Sequence, residues 1–129
     1  MMTMKVHKMD KLEEMWTQQH EFMNLLREKR GFVSFPVDTE SKEGQKILKQ
    51  ITHECMHELF ESNSILKNSK DHRATDVSGF DRESYVEELC DALHYFFEIA
   101  ILSGVSIEEL HSMYMKKGKI NVDRIEKGY

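Results

Sequence analysis

Between Leu89 and Leu102 this chain carries an apolar run that almost no polar side interrupts: Leu89, Cys90, Ala92, Leu93, Tyr95, Phe96, Phe97, Ile99, Ala100 and Ile101. Wound at 3.6 residues per turn, these residues point in nearly every direction around the axis. A helix that is apolar all round must be covered all round. A chain of 129 residues can hardly provide that cover alone. The segment therefore predicts a homodimer, or a dimer of dimers, with this helix at the interface.

The rest of the chain reads as helix too. One proline and six glycines leave little punctuation for the turns of a many-stranded sheet. Leu12, Met15, Trp16, Gln19, Phe22, Met23 and Leu26 repeat at helical spacing and predict a first helix over about 8–29. Gly31 and Pro36 mark a loop. Ser41 with Gly44 opens a second helix through Ile47, Leu48, Ile51, Cys55, Leu59 and Phe60, fading near Leu66. Residues 67–79 are polar and aperiodic, and predict a loop. Asp81 or Ser84 caps the third helix, which Gly104 stops. Ser106 with Glu109 has the spacing of a capping box for a fourth, from Ile107 to about Lys117. A polar tail over 118–129 follows. The expected architecture is all-α, a single domain over 1–129 with four to five helices.

A formal charge of −5 argues against non-specific attraction to nucleic acid. The segment from Ala92 to Leu102 is broken by His94 and Glu98 and is too short to span a bilayer, so no membrane partner is expected. The first residues lack a secretory apolar region, and the two cysteines, Cys55 and Cys90, are expected as buried, reduced thiols in a cytoplasmic protein.

The chemistry lies in the acids and in the tail. Glu88 and Asp91 are three apart and share a face of the third helix. Glu54, Glu58 and Glu61 share a face of the second. A carboxylate at the edge of a buried helix needs a partner or a metal. Hard oxygen ligands gathered from two such helices suit Mg²⁺, with Mn²⁺ as the other candidate, and Mg²⁺ implies a phosphorylated substrate. Lys117, Asn121 and Arg124 stand four and three apart, and Tyr129 adds a hydroxyl. Together these side chains are suited to hold phosphate. Acids for a metal and cations for phosphate in one chain point to cleavage of a metal–triphosphate.

Two other arrangements use the same residues. Glu54-Cys55-Met56-His57 and Asp91-Ala92-Leu93-His94 are each acid-x-x-His, the motif of a di-iron carboxylate bundle. That assignment leaves the phosphate-binding tail without a role. The segment from Gly104 to Leu110 resembles the turn of a helix-turn-helix DNA reader, but Glu108 and Glu109 would face the phosphates.

Glu88-x-x-Asp91, His94, Tyr95-Phe96, Gly104, Glu108-Glu109, Tyr114 and Lys117-x-x-x-Asn121-x-x-Arg124-x-x-x-Gly128-Tyr129 resemble the C-terminal half of the dimeric dUTPases. They are most similar to the phage dCTP pyrophosphatase–dUTPase branch of the all-α nucleoside triphosphate pyrophosphatases, which include the MazG proteins. The resemblance implies a Mg²⁺-dependent enzyme that converts a deoxynucleoside triphosphate to monophosphate and pyrophosphate. It implies dUTP, then dCTP, as substrate, with a purine nucleotide of MazG type as the alternative. By the same resemblance Glu54 or Glu58, with Glu88 and Asp91, would hold the metal, and Glu58 or Glu61 would orient or deprotonate water. Lys117, Asn121, Arg124 and Tyr129 would hold the phosphates, 118–129 would close over the substrate, and Gln19 and His94 would meet the base or sugar. The chain departs from the family in two places. In Glu54-Cys55-Met56-His57-Glu58, Cys55 stands for the middle acid of the first Glu-Glu-x-x-Glu motif, and Glu58-Leu59-Phe60-Glu61 is the other placement of that motif. The Phe-Lys-x-Trp-Lys-type segment is absent, and Leu66-Lys67 and Lys70 stand near its place.

Overall fold

A computed structural model describes residues 8–77 and 79–128, and among these it contains four helices and no strand. They are α1 (Lys11–Arg30), α2 (Lys42–Asn63), α3 (Arg82–Leu102) and α4 (Ile107–Glu126). The fold is all-α, as the spacing of apolar residues predicts.

Each helix begins where a short polar side chain can satisfy a free backbone N–H. Asp10 accepts from the Glu13 N–H, Ser41 from Gly44, Asp81 from Ser84 and Ser106 from Glu109. Asp81 rather than Ser84 is thus the cap of α3. At α2 the cap demands a glycine. A Cβ on Gly44 would run into the Asp38 carbonyl, so only glycine lets the loop fold back this tightly.

The principal packing is α2 against α3, with α1 laid more sparsely on α3. The pairings Glu58 with Asp91 and Cys55 with Ala92 fix α2 and α3 as antiparallel neighbours. Met23, Ile101 and Leu102 form a small core, and Trp16, Phe32, Phe35, Ile47, Leu48 and Ile51 pack around it. The Val37 N–H donates to the Leu102 carbonyl at 2.7 Å and pins the α1–α2 loop to the end of α3.

The structure differs from the sequence expectation at two points. The segment after Lys117 is not an irregular tail, because α4 continues to Glu126. Gly118 costs roughly 1 kcal/mol in a helix interior. That is too little to end a helix with no proline near it and with Lys119 and Asp123 at a favourable i, i+4 spacing. Of the two free thiols, Cys55 is buried but Cys90 is exposed, because Cys90 lies off the α2-facing side of α3.

Candidate active site

The acidic faces of α2 and α3 meet. Carboxylate oxygens of Glu58, Glu88 and Asp91 all lie within 4.8 Å of one another. Glu61 joins them through hydrogen bonding to the Glu58 and Glu88 carboxyls, and accepts from His57 Nε2 at 2.9 Å. Such crowding disfavours ionisation. Partial burial first, then Glu61, Asp91 and Glu88, push Glu58 from 4.5 to about 7. Partial burial and Glu61 likewise raise Glu88. One oxygen of Glu88, Oε2, is buried with no hydrogen-bond partner. Crowded hard oxygens whose ionisation is opposed by one another, and an orphaned carboxylate oxygen, fit a divalent cation, which would relieve that repulsion.

A cavity of about 840 Å³ opens beside this cluster. Glu54, Glu58 and Asp91 line it, and so do Gln19 and His94. The last two are joined: His94 Nδ1 and Gln19 Oε1 are 2.9 Å apart, linking α1 to α3. Gln19 is buried. Residues far apart in the chain are thus gathered into one cavity because α1 and α2 both lie on α3.

Cys55 stands outside it. Its Sγ donates to the Ala92 carbonyl at 3.3 Å in the α2–α3 seam, and burial raises the thiol pKa. Position 55 therefore offers a neutral packing group, while Glu54 and Glu58 on either side of it reach the cavity. His57 is paired with Glu61 and His94 with Gln19, so neither histidine belongs to the carboxylate cluster.

Lys117, Asn121 and Arg124 share one face of α4, and all three are exposed. None of them lines the cavity. The first turn of α4 lies instead near Trp16 and His20, on the other side of α1. Tyr129 lies outside the described residues.

Several cavity residues were given no site role in the reading of the sequence, two of them on α3. Tyr95 and Glu98 follow Asp91 on the same face of α3 and line the cavity with it. Glu98 is only 5 % exposed, and burial raises it to about 6. The signal was present in the spacing Asp91, Tyr95, Glu98, which repeats every three to four residues. It is masked by reading Glu98 only as a break in an apolar run.

No single helix among the described residues is long and apolar enough to cross a membrane. No curated protein and no solved structure matches the chain. A family model described as dUTPase matches residues 4–129. With that match over nearly the whole length, the chain belongs to the dUTPase family and is a nucleoside triphosphate pyrophosphohydrolase.

Proposed function

We propose that this cavity is the active site of a Mg²⁺-dependent pyrophosphohydrolase acting on dUTP and dCTP, which it converts to the monophosphate and pyrophosphate. The observation that carries the reading is the convergence of Glu58, Glu88 and Asp91 beside a cavity lined by Gln19 and His94. Glu58, Glu88 and Asp91, with Glu54 at the cavity wall, would hold the metal. When bound, Mg²⁺ supplies charge neutralisation for the triphosphate oxygens. With Glu58 engaged as a ligand, Glu61 is left to orient the attacking water and take its proton, and the His57 contact holds its carboxylate in place. The Gln19–His94 pair would meet the base or sugar.

The carboxylate cluster supplies no positive charge for the phosphates. Lys117 and Arg124 carry it on one face of α4, Asn121 between them adds an amide donor, and Tyr129 follows them in the sequence. Closure of 118–129 over the triphosphate would bring these side chains to the charge that develops in the reaction and shut out water. Such closure is drawn from α4 of the same chain or of a second copy in a dimer.

The test is a panel of deoxynucleoside triphosphates with Mg²⁺, scored for pyrophosphate. We expect pyrophosphate from dUTP and dCTP, none in EDTA, and loss of nearly all turnover in Asp91→Asn and Glu88→Gln with folding intact. Wild-type turnover in either variant would refute the metal assignment, and no turnover of any nucleotide with Mg²⁺ or Mn²⁺ would refute the activity.

A further inference from the structure

Glu98 has no partner that explains it. The residue is more than nine-tenths buried, and its carboxylate makes no hydrogen bond or ion pair among the described residues. An unpaired buried carboxylate is costly, and an apolar residue of similar size would be cheaper at this position. Yet Glu98 is not sealed in the core. It lines the same cavity as the acidic cluster, seven residues beyond Asp91 on α3, about 10 Å farther along the helix axis. A nucleotide whose phosphates lie at Asp91 would reach Glu98 with its base if it ran along the cavity in that direction. Phe22, Phe32 and Ile51 line the cavity as well and give a flat ring apolar cover.

An ionised carboxylate only accepts hydrogen bonds, so its complement is an N–H group. Cytosine offers its exocyclic amine, and acceptance from that amine is the pairing carboxylate side chains make with cytosine. Uracil presents a carbonyl oxygen at the same place, whose lone pairs repel a carboxylate. Its ring N–H is flanked on both sides by carbonyls. Burial also raises Glu98 to about 6. In its protonated form the acid would still accept from the cytosine amine while donating to the neighbouring ring nitrogen. Both forms of Glu98 therefore match cytosine, while uracil is matched only by the protonated form, which donates to its carbonyl and accepts from its ring N–H.

We propose that Glu98 accepts a hydrogen bond from the exocyclic amine of cytosine and is the residue that admits dCTP beside dUTP. This rests on the pyrophosphohydrolase reading above. Glu98 is a specificity residue, remote from the bond that breaks.

The test compares kcat/KM for dCTP and dUTP with Mg²⁺ in the wild type, Glu98→Met and Glu98→Gln. Methionine keeps the length of the side chain and removes the acceptor. The ratio of dCTP to dUTP kcat/KM should fall roughly ten- to a hundredfold in Glu98→Met, the scale of one good base contact. Glu98→Gln retains an acceptor oxygen and should keep more dCTP turnover than the methionine variant. A ratio unchanged within about threefold in Glu98→Met overturns the proposal, as does a wild-type protein that hydrolyses dUTP but not dCTP. No turnover of any nucleotide overturns the underlying activity instead. Should Glu98→Met not fold, inhibition of the wild type decides. The 2-pyrimidinone deoxyribonucleotide, which lacks the amine, should inhibit at least about tenfold more weakly than dCMP, and equal inhibition overturns the proposal.

Discussion

At the scale of single residues, the carboxylates of α2 and α3 tie stability to pH. Glu58 is raised to about 7, and Glu88 is raised with it. In the unfolded chain both return to the ordinary carboxylate range. The folded state therefore binds protons more tightly than the unfolded state, and stability falls as pH rises between 4.5 and about 7. Glu98, raised to about 6, adds in the same direction. Asp81 acts oppositely. Its hydrogen bonds to Ser84 lower it from 3.8, so its contribution is lost only in stronger acid. We expect the metal-free protein to melt at a lower temperature at pH 8 than at pH 5.5, and saturating Mg²⁺ to remove most of that difference. Asp91→Asn should raise the metal-free melting temperature at pH 8, since it removes one of the repelling charges. Scanning calorimetry at both pH values checks this, and a metal-free protein more stable at pH 8 would refute it. The acids themselves are legible in the sequence as two same-face sets. Glu98 is legible only in part: its spacing puts it on the Asp91 face of α3, but spacing does not say what that face meets.

At the scale of elements, α1, α2 and α3 build the cavity and α4 remains apart from it. Of the three helices that build the cavity, the starts of α2 and α3 were legible because capping chemistry is local: Ser41 and Asp81 each bond an N–H three residues on, as Asp10 does at α1, where the sequence put the start a few residues early. The length of α4 was not legible, since the choice between helix and tail over 118–126 turns on small propensity differences. Its placement matters more. Lys117, Asn121 and Arg124 share a face, while the first turn of α4 lies on the side of α1 away from the cavity. A second copy is then the better placed source of the side chains proposed to hold the phosphates. We expect Asp91→Asn and Arg124→Ala proteins, each inactive alone or nearly so, to regain activity when unfolded, mixed and refolded together. With random pairing into dimers about a quarter of wild-type activity should return, because half the dimers carry one intact site in two. No recovery on mixing would show that α4 serves its own chain.

At the scale of the whole molecule, one copy leaves much of its apolar surface uncovered. Val86, Leu89, Leu93 and Phe96 on α3 are exposed, as are Met56, Leu59 and Phe60 on α2. Phe60 is 66 % exposed. Apolar side chains clustered on two packed helices are the mark of an association surface. We expect light scattering to report a dimer or a dimer of dimers at micromolar concentration, and Phe60→Glu with Leu93→Glu to shift it toward monomer. A wild-type monomer would refute this. The sequence by itself determined the helical class, the starts of α2, α3 and α4, the two acidic faces and the surplus of apolar surface, since each follows from periodicity or from contacts a few residues apart. Only the tertiary structure decided that α2 and α3 run antiparallel with Glu58 beside Asp91, that Gln19 reaches His94 from α1, and that Glu98 enters the same cavity. Those are contacts between residues 33 to 75 positions apart or properties of an enclosed space. Helical spacing fixes which residues share a face, but only packing fixes what that face meets.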